Sequence, residues 1–411
     1  SIPVFNIKWV PNFLVKKSDF TKKYYDTLLS LVKNAGTITI ATDYDVEGEV
    51  IGLNIVRFIC NQQDANRMKF STLTDKEIEE AYKNKSPNLN WGQAIAGETR
   101  HYLDWFYGIN LSRALMNAIK STGRFKIMSI GRVQGPTLNL IVKKEREIMA
   151  FKPLPYWQVF IKIKQEKIQL ELKYNKDITK KSELDKFKNL EGKEIDVETK
   201  KSQQKIPPQA PFNLTNLQTE AYKFFGITPS RTLQIAQSLY LASLISYPRT
   251  SSQKLPDSIN YKEILAKLAK QYNAENLIKR NKPVEGNKSD PAHPSIYPTG
   301  QTGTMNSDEE KIYNLIAKRF ISLFCEDAII DNKTIRAEVI VKNLKVNNDK
   351  LLVNNRDDIV NNKQLKKEVI NNKEVREVDK ELNGVDNQTS EKLIFTTRGS
   401  EIKQKGWMNV Y

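Results

Sequence analysis

From Thr37 to Thr42 threonine alternates with isoleucine and alanine, which predicts a short buried strand, and Val50–Cys60 carries Ile51, Ile55, Phe58 and Ile59 at helical spacing. Upstream, Tyr25, Leu28, Leu29 and Val32 share one face of a helix predicted over 18–34, so the chain opens as helix, strand, helix. A further strand is predicted at Lys69–Leu73. Thr74 and Glu77 have the spacing of a capping box at the start of a helix that ends near Lys85, and the first domain closes at Ser86-Pro87. From Trp91 to Phe151 the pattern is helical, aromatic at Tyr102, Trp105, Phe106 and Tyr107, then aliphatic at Leu111, Leu115, Ala118 and Ile119. The period then becomes two. Val159, Ile161 and Ile163, then Ile168, Leu170 and Leu172, alternate with polar residues, predicting an antiparallel hairpin with one wet face. The same alternation returns at Ile335, Ala337, Val339 and Val341. Residues 211–330 between them are mostly helical, so a helical domain is inserted into a β domain. Residues 344–392, rich in Asn, Lys, Asp and Glu, read as long surface hairpins or partly mobile loops.

Composition narrows the class. A chain of 411 residues has room for two to four domains, and 65 Lys+Arg against 48 Asp+Glu gives a formal charge of +17, which favours a polyanionic partner. Cys60 and Cys325 lie far apart in apolar segments and read as buried thiols of a cytoplasmic protein. Two cysteines and two histidines so dispersed cannot build a zinc site. No apolar run approaches a membrane span and no signal peptide is present. Starting at Ser1 without Met, the chain reads as a fragment.

Against that basic background, Asp43, Asp45, Glu47 and Glu49 fall within seven residues, between the predicted strand and helix. Open α/β sheets bind ligands at that edge, and Asp43 and Asp45, two apart in extended chain, project to one side. Such oxygen ligands suit Mg²⁺ completed by phosphate oxygens; the alternative is that the acids only complement the positive end of the next helix. At 121–136, STGRFKIMSIGRVQGP sets Gly123, Gly131 and Gly135 among Arg124, Lys126 and Arg132 at a helix start, which suits an anion but also describes an ordinary basic loop. Thr228 and Ser230 can cap a helix through Leu233, Ala236, Gln237 and Tyr240 that breaks at Ser243–Tyr247. Pro248 forces Tyr247 into an extended, projecting conformation beside Arg249, so Tyr247 is either a phosphoryl acceptor or a packing residue.

Four ordered blocks then combine: DYDVEGE at Asp43–Glu49, SIGRVQGPTLNLIVKKEREI at Ser129–Ile148, LISYPRTSS at Leu244–Ser252 and AHPSIYPTG at Ala292–Gly300, with TTRGSEIKQKGWMNVY at the end. Together they resemble the type IA DNA topoisomerases, most closely the archaeal topoisomerase III-like members. The resemblance implies a multidomain fold of α/β, α and β parts. It comprises a Toprim α/β domain over 1–88, incomplete at its N-terminus, and the first part of a helical domain over 89–150. An antiparallel β arch from 151–209 and 333–411 carries an inserted helical domain at 210–332, the whole forming a toroid with a DNA-sized hole. It also implies an ATP-independent isomerase that cleaves one strand, passes DNA and religates, relaxing negative supercoils or decatenating.

By position, the resemblance makes Tyr247 the nucleophile that becomes joined to the 5′ phosphate, with Arg249 stabilising charge on the scissile phosphate and His293 holding that phosphate or its neighbour. It assigns Mg²⁺ to Asp43, Asp45 and Glu47, a structural role to Glu49, and single-stranded DNA to Arg100, Arg132 and Gln134, a surface to which Lys126 adds charge. Val46 and Tyr297 stand where many relatives carry arginine, and Ser251 where many bacterial ones carry aspartate. A first Toprim strand with a glutamate and a lysine would precede Ser1. The implied partners are single-stranded DNA and negatively supercoiled or catenated duplex, for a nucleoid-associated cytoplasmic monomer with no membrane attachment. Two other readings are the topoisomerase half of a reverse gyrase and a catalytically incomplete single-strand-binding fragment.

Overall fold

Two helices, α1 (Asn12–Val15) and α2 (Thr21–Val32), lead towards the acidic motif in the computed structural model, which describes residues 3–15, 20–165, 167–342 and 390–411. The polar run expected to form surface hairpins lies outside the described residues as far as position 389. The chain divides into two compact units, one of Ser1–Lys152, Gln203–Ile330 and Ile402–Tyr411, the other of Pro153–Ser202 and Asp331–Glu401.

In the first unit β1 (Thr39–Ile40) and β2 (Asn66–Arg67) pair in parallel, Thr39 opposite Asn66 and Ile40 opposite Arg67. Between them runs α3 (Val46–Phe58). It starts four residues before the apolar spacing predicts, because Asp45 caps it, Oδ1 accepting the Gly48 N–H at 2.7 Å. Glu47 and Glu49 therefore ride on the first helical turn. Residues 69–73 are loop, not the predicted strand. The carbonyls of Ser71 and Leu73 instead accept from the Tyr247 N–H (2.8 Å) and the Ser243 hydroxyl (2.9 Å). The predicted capping box is also absent from α4 (Asp75–Lys83): Thr74 makes no cap bond, and Glu77 turns back to the Ser71 N–H at 2.5 Å and to the Thr72 hydroxyl. The 30-residue helix α5 (Trp91–Lys120) crosses α3 at Gly97, where a Cβ would fall 2.3 Å from Val50 Cγ2. Ile40, Leu53, Val56, Ala65, Leu89 and Ala94 form the core there. A loop then leads into α6 (Gln134–Ala150).

In the second unit the predicted hairpin forms from β3 (Phe160–Gln165) and β4 (Ile168–Tyr174), in register from Phe160 opposite Lys173 to Gln165 opposite Ile168. With β5 (Asp196–Ile206), β6 (Ala328–Lys342) and β7 (Ser390–Gln404) it makes a five-stranded sheet in the order β3-β4-β7-β6-β5. Leu172, Tyr174, Ala337, Val339, Leu393 and Phe395 are its core.

The remaining helices belong to the first unit: α7 (Leu214–Phe225), α8 (Pro229–Leu241), α9 (Tyr261–Gln271) and α10 (Ser307–Ser322). They bury Leu217, Ile235, Leu239, Leu268, Ile316 and Phe320. Arg319, 2% exposed, is sandwiched between the rings of Phe212 and Tyr411, each 4.3 Å away. Its Nη2 donates to both Glu220 oxygens at 2.6 and 2.7 Å, its Nη1 to the Ala210 carbonyl at 3.0 Å, and the Tyr411 hydroxyl also donates to Glu220. Both cysteines are buried free thiols, as expected. Among the described residues no helix is long and apolar enough to cross a membrane.

Candidate active site

A buried ion pair shapes the acidic loop. Arg67 Nε donates to Glu49 at 2.7 Å, and its two Nη atoms donate at 2.8 Å to the carbonyls of Thr42, Met68 and Asp43. Glu49 completes its bonding by accepting the Asn90 N–H at 2.6 Å. With both side chains excluded from water, the pair is retained because both Glu49 oxygens and each of the three Arg67 nitrogens have a hydrogen-bond partner. Gly48 is required where the loop turns into α3, since a Cβ there would sit 2.0 Å from the Asp43 carbonyl oxygen.

Onto this loop comes the segment that follows α8. Ser243 takes φ +61°, unusual for a non-glycine residue, and ends the helical path. Tyr247 is non-helical, as the following proline dictates, but its side chain does not project into solvent. It is 2% exposed, and its hydroxyl donates to Asp45 Oδ2. Tyr240, from α8, donates to Asp43 Oδ1 at 3.0 Å and meets the Tyr247 ring edge-on at 5.3 Å. On the other side the His293 ring lies 4.4 Å from that of Tyr247, its Nδ1 3.0 Å from the Ser71 hydroxyl. His293 Nε2 is buried and reaches hydrogen-bonding geometry with no group among the described residues.

The electrostatics follow from this burial. Desolvation, then the bond to Asp45 and the charges of Asp45 and Asp43, push the Tyr247 phenol well above its ordinary 10. Burial pushes His293 down to about 4, against the pull of Asp290, Asp45 and the Tyr44 carbonyl, so the imidazole is neutral at pH 7. Asp43 is raised, first by burial and then by Asp45, with the Tyr240 hydrogen bond opposing. Arg249 is exposed, and its charge favours the ionised forms of both Asp43 and Tyr247.

Glu47 faces different partners. Its carboxylate accepts from His101 Nε2 at 3.0 Å and lies 3.6 Å from Arg100 Nη1. Asp104, one turn further along α5, lies 3.7 Å from Arg100 Nε and accepts from Arg132 Nε at 2.5 Å. Gln134 opens α6 and Lys126 lies in the preceding loop, both exposed. Thus Asp43, Asp45, Tyr247 and His293 come together, while Glu47 and the basic residues form a second group along α5. Among the described residues no set of three or more His, Cys, Asp or Glu side chains is arranged to hold a metal ion. Glu47 lies on the first turn of α3, which Asp45 caps and Asp43 precedes. Sequence reasoning missed Tyr240, Ser71, His101 and Asp104 as members of these groups. Only Asp104 carried a signal, its i,i+4 spacing from Arg100 on a predicted helix.

A family model for DNA topoisomerase matches residues 88–393. This chain belongs to the type IA DNA topoisomerases. DNA topoisomerase 1 of Pyrococcus horikoshii is 44% identical over 360 residues, covering 82% of this chain and 52% of that protein. For DNA topoisomerase 1 of Methanocaldococcus jannaschii the values are 45% over 335 residues, 79% and 44%. This type IA chain therefore spans about half the length of the curated relatives it matches. The crystal structure of full-length topoisomerase I from Thermotoga maritima superposes with a TM-score of 0.65 at 24% identity, covering 95% of this chain and 57% of that one, a likeness of fold.

Proposed function

We propose that Tyr247 is the nucleophile of a transient single-strand DNA break. The observation that carries this reading is the Tyr247 hydroxyl bonded to Asp45, beside Asp43 and under His293, all drawn from distant parts of the sequence. In the step, the phenolic oxygen forms a bond to phosphorus while the bond to the 3′ oxygen breaks. The phenolic proton passes to Asp45, its nearest acceptor, and the 3′ oxygen takes up one proton from water to leave as a hydroxyl; Asp45 returns its proton to water, so the step has no net proton change. The aryl phosphate conserves the energy of the broken bond, so the 3′ hydroxyl reverses the step without ATP and the protein needs only positioning and charge stabilisation.

Each remaining residue has a task in this reading. Arg249 sits over the phosphate as an exposed bidentate donor. One tautomer of neutral His293 serves this step: with Nδ1 accepting from the Ser71 hydroxyl, the proton rests on Nε2, which then donates to a phosphate oxygen. Asp43 and Asp45 fit a divalent cation, because burial and the neighbouring Asp45 carboxylate disfavour the charge on Asp43, which a cation would offset, and Mg²⁺ takes one or two carboxylates with water and phosphate oxygens. Mg²⁺ bound there would neutralise charge on the scissile phosphate. Arg100, Arg132, Gln134 and Lys126 line the path of the single strand, and the outcome is relaxation of negative supercoils or decatenation.

The test is a labelled oligonucleotide incubated with the chain and Mg²⁺, then denatured. An adduct that disappears in Tyr247→Phe supports the assignment, whereas an adduct that persists in that variant contradicts it. An unmodified chain that binds the strand and never forms the adduct would leave the single-strand-binding reading.

A further inference from the structure

The basic group along α5 contains an acid that the function above does not use. Asp104 Oδ1 accepts from Arg132 Nε at 2.5 Å, and its other oxygen lies 3.7 Å from Arg100 Nε. Both contacts are to Nε rather than to the Nη atoms. A guanidinium held by a carboxylate at Nε keeps an Nη edge to offer a second anion, which is how a fixed fork is aimed at phosphate. The loop that carries Arg132 has few other anchors. Phe125, Ile127 and Val133 are 72, 79 and 67% exposed, and polar ties to α5 among the described residues include this ion pair and the Ile130 N–H to Ser112 Oγ bond at 2.9 Å. Arg100 has a second acid beside it, Glu47, whereas Arg132 is set by Asp104.

We propose that Asp104 is a positioning residue for single-stranded DNA: it fixes Arg132, so that the free edge of that guanidinium is aimed at a backbone phosphate. The proposal rests on the reading that Arg132 meets the DNA backbone. It has an unusual sign, because removing a negative charge from a basic surface would ordinarily strengthen binding to a polyanion. Here, loss of Asp104 weakens binding, since an unpaired, mobile Arg132 must be ordered anew by each strand.

The experiment is fluorescence anisotropy of a labelled oligodeoxythymidylate in EDTA across a salt series, on the unmodified chain, Asp104→Ala, Asp104→Asn, Arg132→Ala and the double variant Asp104→Ala/Arg132→Ala. The expected result is a roughly three- to tenfold weaker Kd for Asp104→Ala and a salt slope shallower by about 0.7, the value of one single-strand phosphate contact. Asp104→Asn, whose carboxamide oxygen still accepts from Nε, recovers part of both. The double variant binds no more weakly than Arg132→Ala, a non-additivity that a general loss of structure does not produce. Tighter or unchanged binding in Asp104→Ala and Asp104→Asn overturns the proposal, and Asp104→Asn alone decides if the alanine variant does not fold. If Arg132→Ala itself changes neither Kd nor slope, the assignment of Arg132 to DNA fails and the proposal fails with it.

Discussion

The hydroxyl of Tyr247 donates to the carboxylate of Asp45, 202 residues earlier in the chain, and both ends of that bond are held from behind. Asp45 is fixed by capping α3, and Tyr247 by the rings of Tyr240 and His293. Tyr247→Phe removes one oxygen and leaves Asp45 its bond to Gly48. The variant should form no covalent DNA adduct while losing no more than about 2 kcal/mol of stability. Denaturing electrophoresis and a thermal melt on one preparation check both halves.

Asp43 is raised by burial and by Asp45, so its ionised form is a burden on the folded state at neutral pH. Asp43→Asn keeps an oxygen for the Tyr240 hydroxyl and removes that burden. We expect a melting temperature equal to or above that of the unmodified chain at pH 7, by the order of 1 kcal/mol or less, together with loss of adduct formation. A clearly lower melting temperature would show that the two carboxylates are not in electrostatic conflict.

His293 gives the opposite pH signature. Its folded value of about 4 lies below the ordinary 6.5, so between those values the unfolded chain takes up a proton that the folded chain refuses. Its contribution is complete above about pH 6.5 and is lost as pH falls towards 4, on the order of 3 kcal/mol in all. His293→Gln should flatten the stability curve in that window relative to the unmodified chain, which isolates the effect from Asp43. Parallel curves would remove it.

Gly48→Ala drives a methyl group against the Asp43 carbonyl, where 2.0 Å is available. The acidic loop must shift. Loss of adduct with a stability cost of roughly 1–3 kcal/mol is expected, read by melting and by the oligonucleotide assay.

Arg319→Met should be among the most destabilising single changes in the helical part, about 3–5 kcal/mol, because Glu220 is left without its cation. Adding Glu220→Gln to that variant should recover part of the loss, measured by denaturant titration.

Much of this was legible in the sequence for stated reasons. The hairpin of β3 and β4 announces itself because one face is dry, and the extended backbone at Tyr247 because proline restricts its neighbour. By contrast, β5 is DVETKKSQQKI, exposed at every residue but the last, and a strand wet on both faces leaves no alternation to read. The start of α3 was misplaced because the capping residue, Asp45, was also the candidate ligand, and a side chain with two uses gives one signal. Glu77 looked like half of a capping box; the loop at Ser71 competed for it and won with two bonds. That Tyr247 would be buried against Asp45 rather than projecting was invisible, since it depends on a contact between residues that no local pattern couples.

Tyr247 is fastened through its backbone as well as its ring. The N–H that donates to the Ser71 carbonyl at 2.8 Å belongs to the residue whose side chain is 2% exposed, so no strand of DNA meets the phenol while the amide remains bonded and covered. In heavy water, then, a single deuterium on a single nitrogen reports the resting protein's opening: the protection of the Tyr247 amide without DNA measures the fraction of molecules in which that bond is released, and where exchange outpaces reclosing its rate becomes the rate of opening itself.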